Sequence, residues 1–483
     1  MRNTLIDFAP MIKNRPLLIS FLALFFVNIA AQYFIDPHSE VFDSSLFFLQ
    51  MLYPTVGLIP YVDFISIYPF GISFFSLMIN KMSFGALSLF DLVFFVHFLL
   101  QLMIIKKLIE LAIEKDKILF ITLLLSVETI VYAKLGAEPF SHLLVILFLF
   151  NCYNFITYKK NYLSVLGFAC LLIFVRWDRL FYAISTMSFF YLYFYKNQLS
   201  AVFFVRLTSL FIFPILLLIV SLFLLTNDSF YSSLSNIFID PFIITKQRNL
   251  PFSSTLDVFA IPYYILLASY FFLLSLMIKG RINQGFDYFL FFGSLCLLPQ
   301  TFGRPDIAHL IPFYFSSSLL LLLSFVNISK VTKFIFFFGY SALIGLVVWA
   351  VFSRNLTYDD TCSPYLNNYQ AKSIYVGNLS YKNFFVNYVY LYYKNFHIKP
   401  GTRYIADEPG IQNNLFHSNQ IISDLQDAQR PLIIFQNLSH FIDKKDNSVF
   451  VTSDNIVKYI NNNAVSIGTC FVNNYFFDVK VSY

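Results

Sequence analysis

Long apolar runs separated by short polar loops constrain this 483-residue chain more than any other feature. One run covers 17–35 and ten more lie between 87 and 353, several of them shorter than the ~20 residues that a membrane-spanning helix needs. Since 58% of the residues are hydrophobic and 12% are charged, the composition excludes a cytosolic enzyme, a disordered protein and a nucleic-acid binder. We therefore expect an all-α polytopic membrane protein with about 11 transmembrane helices.

The charges in the loops indicate an orientation, because cytoplasmic loops of membrane proteins carry an excess of Lys and Arg. Residues 1–16 hold Arg2, Lys13 and Arg15, whereas residues 36–63 hold acids and neither Lys nor Arg. Loops with and without Lys clusters alternate along the chain if the spans number eleven. We therefore expect the N-terminus in the cytoplasm, and the acidic loop and the C-terminal tail outside it.

Residues 64–85 interrupt this alternation. They are apolar, but Pro69, Gly71 and Gly85 break the run. Counting the segment as a span would put the Lys-rich loop at 106–117 outside the cytoplasm. We interpret it as a re-entrant or surface-lying piece on the outer side, where protein covers the backbone. The alternative is a chain of twelve spans.

The composition changes near residue 354, where polar residues replace the apolar runs. We expect a transmembrane catalytic domain over 1–353, with an outer loop at 36–86 that carries an acidic motif. Residues 354–483 are expected to form a soluble extracytoplasmic domain of the α/β or α+β class. Within it, the sequences at 431–437 and 466–483 have the composition of β-strands.

The five cysteines fall into two groups. Cys152, Cys170 and Cys296 lie in apolar runs, where we expect inert core residues. Cys362 and Cys470 lie near the two ends of the polar tail and are its only cysteines. A tail outside the cytoplasm meets an oxidising environment, so we expect these two residues to form a disulfide.

Two acids on the expected outer side are functional candidates, because an ionisable group at a membrane is retained at a cost in free energy. Asp43 precedes an apolar stretch that could form a short surface helix, which would put its carboxylate near amide donors. The alternative is a solvated loop. Glu138 comes just before a run and next to Pro139, and these residues alone favour an acid in the first turn of a helix over a functional acid.

Two outer-side groups contain arginine, whose planar guanidinium suits a phosphate. Arg176 and Asp178 flank a Trp, and they are either an interfacial anchor with an ion pair or a contact to phosphate or sugar. Arg304, Asp306 and His309 crowd the boundary of a later run. A salt-bridged loop is the alternative here, but the crowding favours a functional role.

The first outer loop resembles the opening of the GT-C superfamily of membrane glycosyltransferases. That superfamily includes protein O-mannosyltransferases and the lipid A aminoarabinose transferase, and it carries an essential acid, a Gly-x-x-Tyr-x-Asp element and a Tyr-Pro-Pro-like turn. Glu138-Pro139 and the Arg304 group resemble two further elements of the family, so the resemblance extends over residues 17–353. The corresponding residues of the loop are Asp43, Gly57, Tyr61, Asp63, Tyr68 and Pro69, with Phe70 where the family has its second proline.

This resemblance implies transfer of a sugar from a polyprenyl-phosphate donor to an extracytoplasmic acceptor, with inversion at the sugar carbon. Asp43 would be the base, and Arg304, with His309 or Arg176 second, would stabilise the departing phosphate. Glu138 would orient the acceptor, or hold a divalent metal such as Mg or Mn together with Asp43. The expected supporting residues are Tyr61, Asp63, Tyr68, Asp178 and Asp306.

The expected acceptor is a free or lipid-linked glycan, such as a cell-surface polysaccharide or the O-antigen of lipopolysaccharide. Size, composition and an outer tail look like those of serotype-converting glucosyltransferases, which implies a bacterial inner membrane and a periplasmic tail. The alternatives are an O-antigen polymerase or ligase and, third, a lipid-linked sugar flippase or transporter. His97 and Glu128 lie inside apolar runs, where we expect interhelical structural contacts rather than a proton relay.

Overall fold

The computed structural model describes a helical N-terminal part and a mixed α and β tail. The helical part comprises α1 (Arg15–Phe34), a 3-10 turn (Tyr53–Val56), α2 (Gly71–Met82), α3 (Leu89–Glu110), α4 (Lys115–Leu135), α5 (Ser141–Tyr158), α6 (Tyr162–Tyr195), α7 (Ala201–Thr226) and α8 (Phe230–Phe238). The described residues are 15–34, 49–65, 70–83, 89–111, 115–135, 141–158, 160–195, 200–241, 359–377, 388–405, 414–428, 431–436, 453–472 and 475–482, with isolated residues between 243 and 345.

The prediction of about eleven transmembrane helices is wrong. Within the described ranges, two helices, α5 and α7, are long and apolar enough to cross a membrane, and shorter apolar stretches lie at 15–31 and 118–133. Hydropathy overcounts spans because a helix in the centre of a bundle needs the same apolar composition as a helix in lipid. In α5, 78% of the 18-residue apolar stretch is buried inside the protein. Apart from isolated residues, the runs predicted between 258 and 353 lie outside the described residues.

Helix α7 is mostly exposed, since only 22% of its 18-residue apolar stretch is buried inside the protein. The helix begins where the Ser200 hydroxyl accepts a hydrogen bond from the Phe203 N–H at 3.2 Å. Val205 and Leu224 are 69% and 77% exposed. A long apolar face therefore points away from the helical bundle along the whole of α7.

Helix α6 is kinked at Arg176, whose φ and ψ of −155° and 89° are not helical. The sequence predicts two runs here, 162–175 and 180–195, separated by a short polar segment. The structure has a single helix over both runs, and the break between them is the kink at one residue. Gly71, at the start of α2, lies against this kink. A Cβ atom at residue 71 would approach the Cβ of Phe174 to 2.5 Å, so the close contact of the two helices requires glycine.

The tail is built on a five-stranded mixed sheet with strand order β2-β1-β3-β5-β4. Strands β1, β2 and β3 are parallel to one another, whereas β5 runs antiparallel to both β3 and β4. In chain order, the tail contains α9 (Cys362–Asn368), β1 (Ser373–Gly377), α10 (Tyr388–Lys394), β2 (Lys399–Pro400), α11 (Leu415–Asp427), β3 (Leu432–Gln436), α12 (Asp454–Asn463), β4 (Ala464–Val472) and β5 (Tyr475–Ser482).

Helices cover both faces of this sheet, as the side-chain alternation of its strands requires. Ile374 and Val376 of β1 face α9 and α10, in a cluster that also contains Cys362 and Leu391. Tyr375, between them, faces the opposite way, where α11 and α12 supply Ile421, Leu425, Ile456 and Ile460. The tail is therefore a three-layer arrangement of helix, sheet and helix.

Part of the predicted outer loop lies inside the core of the tail. Leu49, Tyr53 and Phe64 are fully buried in the cluster formed by the sheet, α9 and α10. The rings of Tyr53 and Phe64 are 5.0 Å apart, and the Ile65 N–H donates to the Arg403 carbonyl at 2.5 Å. Residues 49–65, which the sequence assigns to the 1–353 domain, thus share a core with the tail.

A disulfide joins Cys362 at the start of α9 to Cys470 in β4. The half-cystines are 108 residues apart in sequence, so the bond closes a loop that contains most of the tail. Asp360 holds the start of α9 beside it, since its carboxylate accepts hydrogen bonds from the N–H groups of Cys362 and Ser363 at 2.8 and 3.0 Å. The bond therefore fixes a capped helix to the edge strand of the sheet.

Replacing both Cys362 and Cys470 by Ser should destabilise the tail by about 4–5 kcal/mol in the chain-entropy model, because the unfolded tail regains the freedom that the closed loop removed. Hydrogen exchange of the β3 and β5 amides measures the effect. Cys170→Ser, which removes a free and half-buried cysteine, is the control. Rapid thiol labelling of both residues in unreduced protein would contradict the bond.

Candidate functional site

The structure describes some of the predicted site residues and not others. Asp43, Tyr68, Glu138, Arg304, Asp306 and His309 lie outside the described residues, and so do both members of the predicted Asp43–Glu138 metal pair. Tyr61, Asp63, Arg176, Asp178, Cys362 and Cys470 lie within them. Within the described part of the chain, no group of three or more His, Cys, Asp or Glu side chains is arranged to hold a metal ion.

Tyr61 and Asp63 lie in a tight turn whose geometry is set by local hydrogen bonds. Gly57 leaves the 3-10 turn at φ 90°, a conformation that favours glycine, and Tyr61 itself has φ 65°. The Tyr61 N–H donates to the Phe64 carbonyl at 2.6 Å, and the Asp63 carboxylate accepts from the Ile59 N–H at 2.8 Å. The turn buries the Tyr61 ring and leaves the Asp63 carboxylate partly exposed.

Burial sets the protonation of Tyr61. The ring is fully buried, and this burial raises the pKa of its hydroxyl well above the usual value of a tyrosine. The ring also meets Phe70 edge-on at 6.4 Å, so it faces the segment that precedes α2. Tyr61 therefore acts as a neutral packing residue, while Asp63, two positions later, carries the charge of the motif.

A cleft of about 480 Å³ opens beside Asp63, between the turn and the tail. Its walls are Val62 and Asp63, the start of β1, the segment from Lys399 to Arg403, and the end of α11. The Asp63 carboxylate pairs with the Lys399 ammonium across the cleft at 2.9 Å. Asp63, which the loop motif predicts, thus meets tail residues that no sequence motif marks.

A second ion pair in the cleft is bidentate. The Arg403 guanidinium donates from Nε and Nη2 to the Asp424 carboxylate, both at 3.1 Å, and the Arg403 backbone N–H donates to the same group at 3.0 Å. Such a fork fixes both side chains in one orientation. Lys372 and Asp427 complete the charged lining, which therefore holds three acids and three bases.

The Arg176 and Asp178 pair lies at the kink of α6. The guanidinium donates to both carboxylate oxygens at 3.0 Å, as the ion-pair interpretation of this run predicts. Phe70 links the kink to the loop turn, because its ring contacts both Phe174, at 5.6 Å, and Tyr61. The kink and the Asp63 turn therefore lie at the same end of the helical bundle.

One buried group at this end was not foreseen. Asp240, just after α8, lies 3.6 Å from the Nε2 of His417 in α11, and the Tyr404 hydroxyl hydrogen-bonds the Nδ1 of the same imidazole at 2.8 Å. All three residues are at least nine-tenths buried. Burial first, and then the Asp240 carboxylate, raise the pKa of Tyr404, so its hydroxyl stays protonated and can donate to His417.

A second buried polar group lies inside the helical bundle and contains both His97 and Glu128. The Asn28 amide donates to the Gln101 side chain at 2.9 Å, and the Asn28 oxygen bonds the His97 Nδ1 at 3.0 Å. Glu128 forms a hydrogen-bonded pair with His142 of α5. These contacts join α1 to α3 and α4 to α5, and the Gln101 amide joins α3 to α4 by donating to the Thr129 hydroxyl at 2.9 Å. His97 and Glu128 thus both make interhelical contacts.

Comparison with known proteins adds no relative, since no family model, no curated protein and no solved structure matches this chain.

Tyr404→Phe should destabilise the tail by about 1–3 kcal/mol, because it leaves the buried Nδ1 of His417 without the hydroxyl that it bonds. Hydrogen exchange of the α11 amides in the purified full chain measures the change. Tyr369→Phe, at a half-exposed tyrosine of the same domain, is the matched control. Equal effects of the two substitutions would show that the Tyr404 hydroxyl does not support the cluster.

His142→Leu should destabilise the helical bundle by about 3–5 kcal/mol, because it removes the imidazole that pairs with the buried Glu128 carboxylate. The double variant Glu128→Leu with His142→Leu should recover most of that loss, since it removes both polar groups. Thermal unfolding in detergent measures both variants. A double variant no more stable than His142→Leu alone would mean that the loss comes from packing rather than from the broken pair.

Proposed function

We propose that this protein is a membrane glycosyltransferase, similar to the GT-C superfamily, that moves a sugar from a polyprenyl-phosphate donor to an extracytoplasmic glycan. The proposed acceptor is a cell-surface polysaccharide or the O-antigen of lipopolysaccharide, and the proposed location is a bacterial inner membrane. One observation carries the proposal. The loop that resembles the family's acidic motif forms, through Asp63, one wall of a charged cleft whose other walls belong to the tail.

The apolar surfaces of the helical part support an association with lipid. Helix α7 is apolar along its length and mostly unburied, and α1 exposes Phe26 and Ile19 to more than half of their surface. Contiguous exposed apolar faces of this size are uncommon on soluble proteins. A donor whose polyprenyl chain lies in the bilayer could reach a protein that is held there by such faces.

Arginine at the kink of α6 supports the donor part of the proposal. Asp178 holds Arg176 by a bidentate contact, which orients the guanidinium for a second acidic partner. A phosphate departing from the sugar develops negative charge, and fixed cations stabilise that charge. Arg176 therefore joins Arg304 and His309 as a candidate group for the donor phosphate.

The proposed reaction needs a base for the acceptor. As the acceptor oxygen attacks the sugar carbon, the bond from that carbon to the phosphate oxygen breaks and the electron pair leaves with the phosphate. The hydroxyl proton passes to a carboxylate, for which Asp43 is the candidate, and the sugar carbon inverts. Glu138 is assigned to acceptor orientation.

Asp43→Asn should lower the rate of transfer by about 10²–10⁴, because an amide cannot accept the acceptor proton. The assay measures sugar transfer in membranes that contain the lipid donor, normalised to folded protein. Asp36→Asn, in the same acidic loop, is the control and should retain activity. Undiminished transfer by Asp43→Asn would remove this base from the mechanism.

Substitutions of Arg176 test its proposed role in binding the donor phosphate in the same assay. Arg176→Ala should raise the KM for the lipid donor, and Arg176→Lys should restore it only in part, because an ammonium lacks the planar fork. Equal activity of both Arg176 variants and the unaltered protein would exclude a donor role for the kink.

A further inference from the structure

The cleft beside Asp63 has the chemistry of a ligand site rather than of a structural seam. Its volume of about 480 Å³ falls within the range of small-molecule sites. Its walls come from four separated pieces of chain, the loop turn, the start of β1, the segment from Lys399 to Arg403 and the end of α11. A ligand in the cleft would therefore contact the loop and the tail at once.

Lys372 and Asp427 are the two charged groups of the cleft that form no ion pair within the part of the chain that the structure describes. Both side chains are exposed, so a ligand in the cleft can reach them.

The charges of the lining indicate the class of ligand. The three acids and three bases of the cleft balance, and four of these six groups already form the pairs Asp63–Lys399 and Arg403–Asp424. An anion would gain no net attraction there, and a cation would gain none either. A neutral ligand with many hydroxyl groups suits such a lining, because each hydroxyl both donates to a carboxylate and accepts from a guanidinium or ammonium.

We propose that this cleft binds a neutral oligosaccharide, with Asp63, Lys372 and Asp427 as its polar contacts. The inference rests on the proposed function for the role of the ligand, which would be the glycan acceptor. Ion pairs that are already formed keep the lining ordered before the ligand arrives, so little side-chain freedom is lost on binding. The Arg403–Asp424 fork serves this ordering role.

Binding is tested on the purified full chain in phospholipid nanodiscs by equilibrium dialysis. The probes are radiolabelled neutral hexasaccharides of glucose, galactose, mannose and rhamnose, with a hexasaccharide of galacturonic acid as the anionic probe. We expect at least one neutral probe to bind, and the double variant Lys372→Gln with Asp427→Asn to weaken that binding about tenfold or more. This variant removes one base and one acid and leaves the net charge unchanged.

The matched control removes the same two side-chain types elsewhere in the tail. Lys458→Gln with Asp454→Asn alters two exposed residues of α12, outside the cleft, and should leave binding unchanged. Failure of every neutral probe, binding of the anionic probe alone, or equal affinity in the cleft and control variants would each overturn the inference.

The transfer assay separates this inference from the proposed function. If the unaltered chain transfers sugar and the cleft double variant keeps its KM for the acceptor, the cleft inference is wrong and the glycosyltransferase proposal stands. If the chain binds a neutral probe through the cleft but transfers no sugar from any polyprenyl-phosphate donor, the proposed function is wrong and the oligosaccharide site stands.

Discussion

Burial of Leu49, Tyr53 and Phe64 in the core of the tail is the contact on which the rest of the architecture depends. These side chains follow α1 closely in sequence, yet they pack with residues more than 300 positions later, such as Tyr392. Complete burial of a large apolar side chain such as Leu49 or Phe64 contributes roughly 1.5–3 kcal/mol, so these contacts form a stable attachment. The loop and the tail are therefore held on one side of the helical bundle, whatever path the intervening chain takes.

The attachment is reinforced where the helical bundle meets the tail a second time. The Trp177 ring, at the kink of α6, lies 5.7 Å from that of Phe238 at the end of α8. Two residues beyond Phe238, Asp240 reaches His417 of the tail. The kink, α8 and the tail thus form a continuous series of contacts, and the orientation of Arg176 depends on the same packing that seats the tail.

The sequence predicted the positions of helices well and their environment badly. The run at 202–226 became α7 almost residue for residue, and the strand-like sequence at 431–437 contains β3, because local apolar patterns set both elements. Hydropathy reports that a side chain leaves water, and it does not distinguish lipid from a protein core. That is why α5, buried within the bundle, has the same pattern as the exposed α7.

The candidate site was predictable only where a motif marks it. Asp63 stands out because a turn sequence precedes it, and Cys362 and Cys470 stand out because no other cysteine lies in the tail. Arg403, Asp424 and the Asp240–His417 contact have no such signal. Each joins segments that lie far apart in sequence, and only the packing of α8 and α11 against the sheet brings them together.

The strength of the contacts across the cleft indicates what its charges are for. The Asp63–Lys399 pair is partly exposed, with more than half of the lysine side chain open to solvent, and such pairs contribute only about 0–1 kcal/mol. The buried side chains of Leu49 and Phe64 contribute several times more, so the loop would stay attached without this pair. Charges that are not needed to hold the loop can exchange their partner for a ligand at little loss of stability. A cleft with a firm hydrophobic base and weakly paired polar walls is thus suited to binding and releasing a hydroxyl-rich ligand.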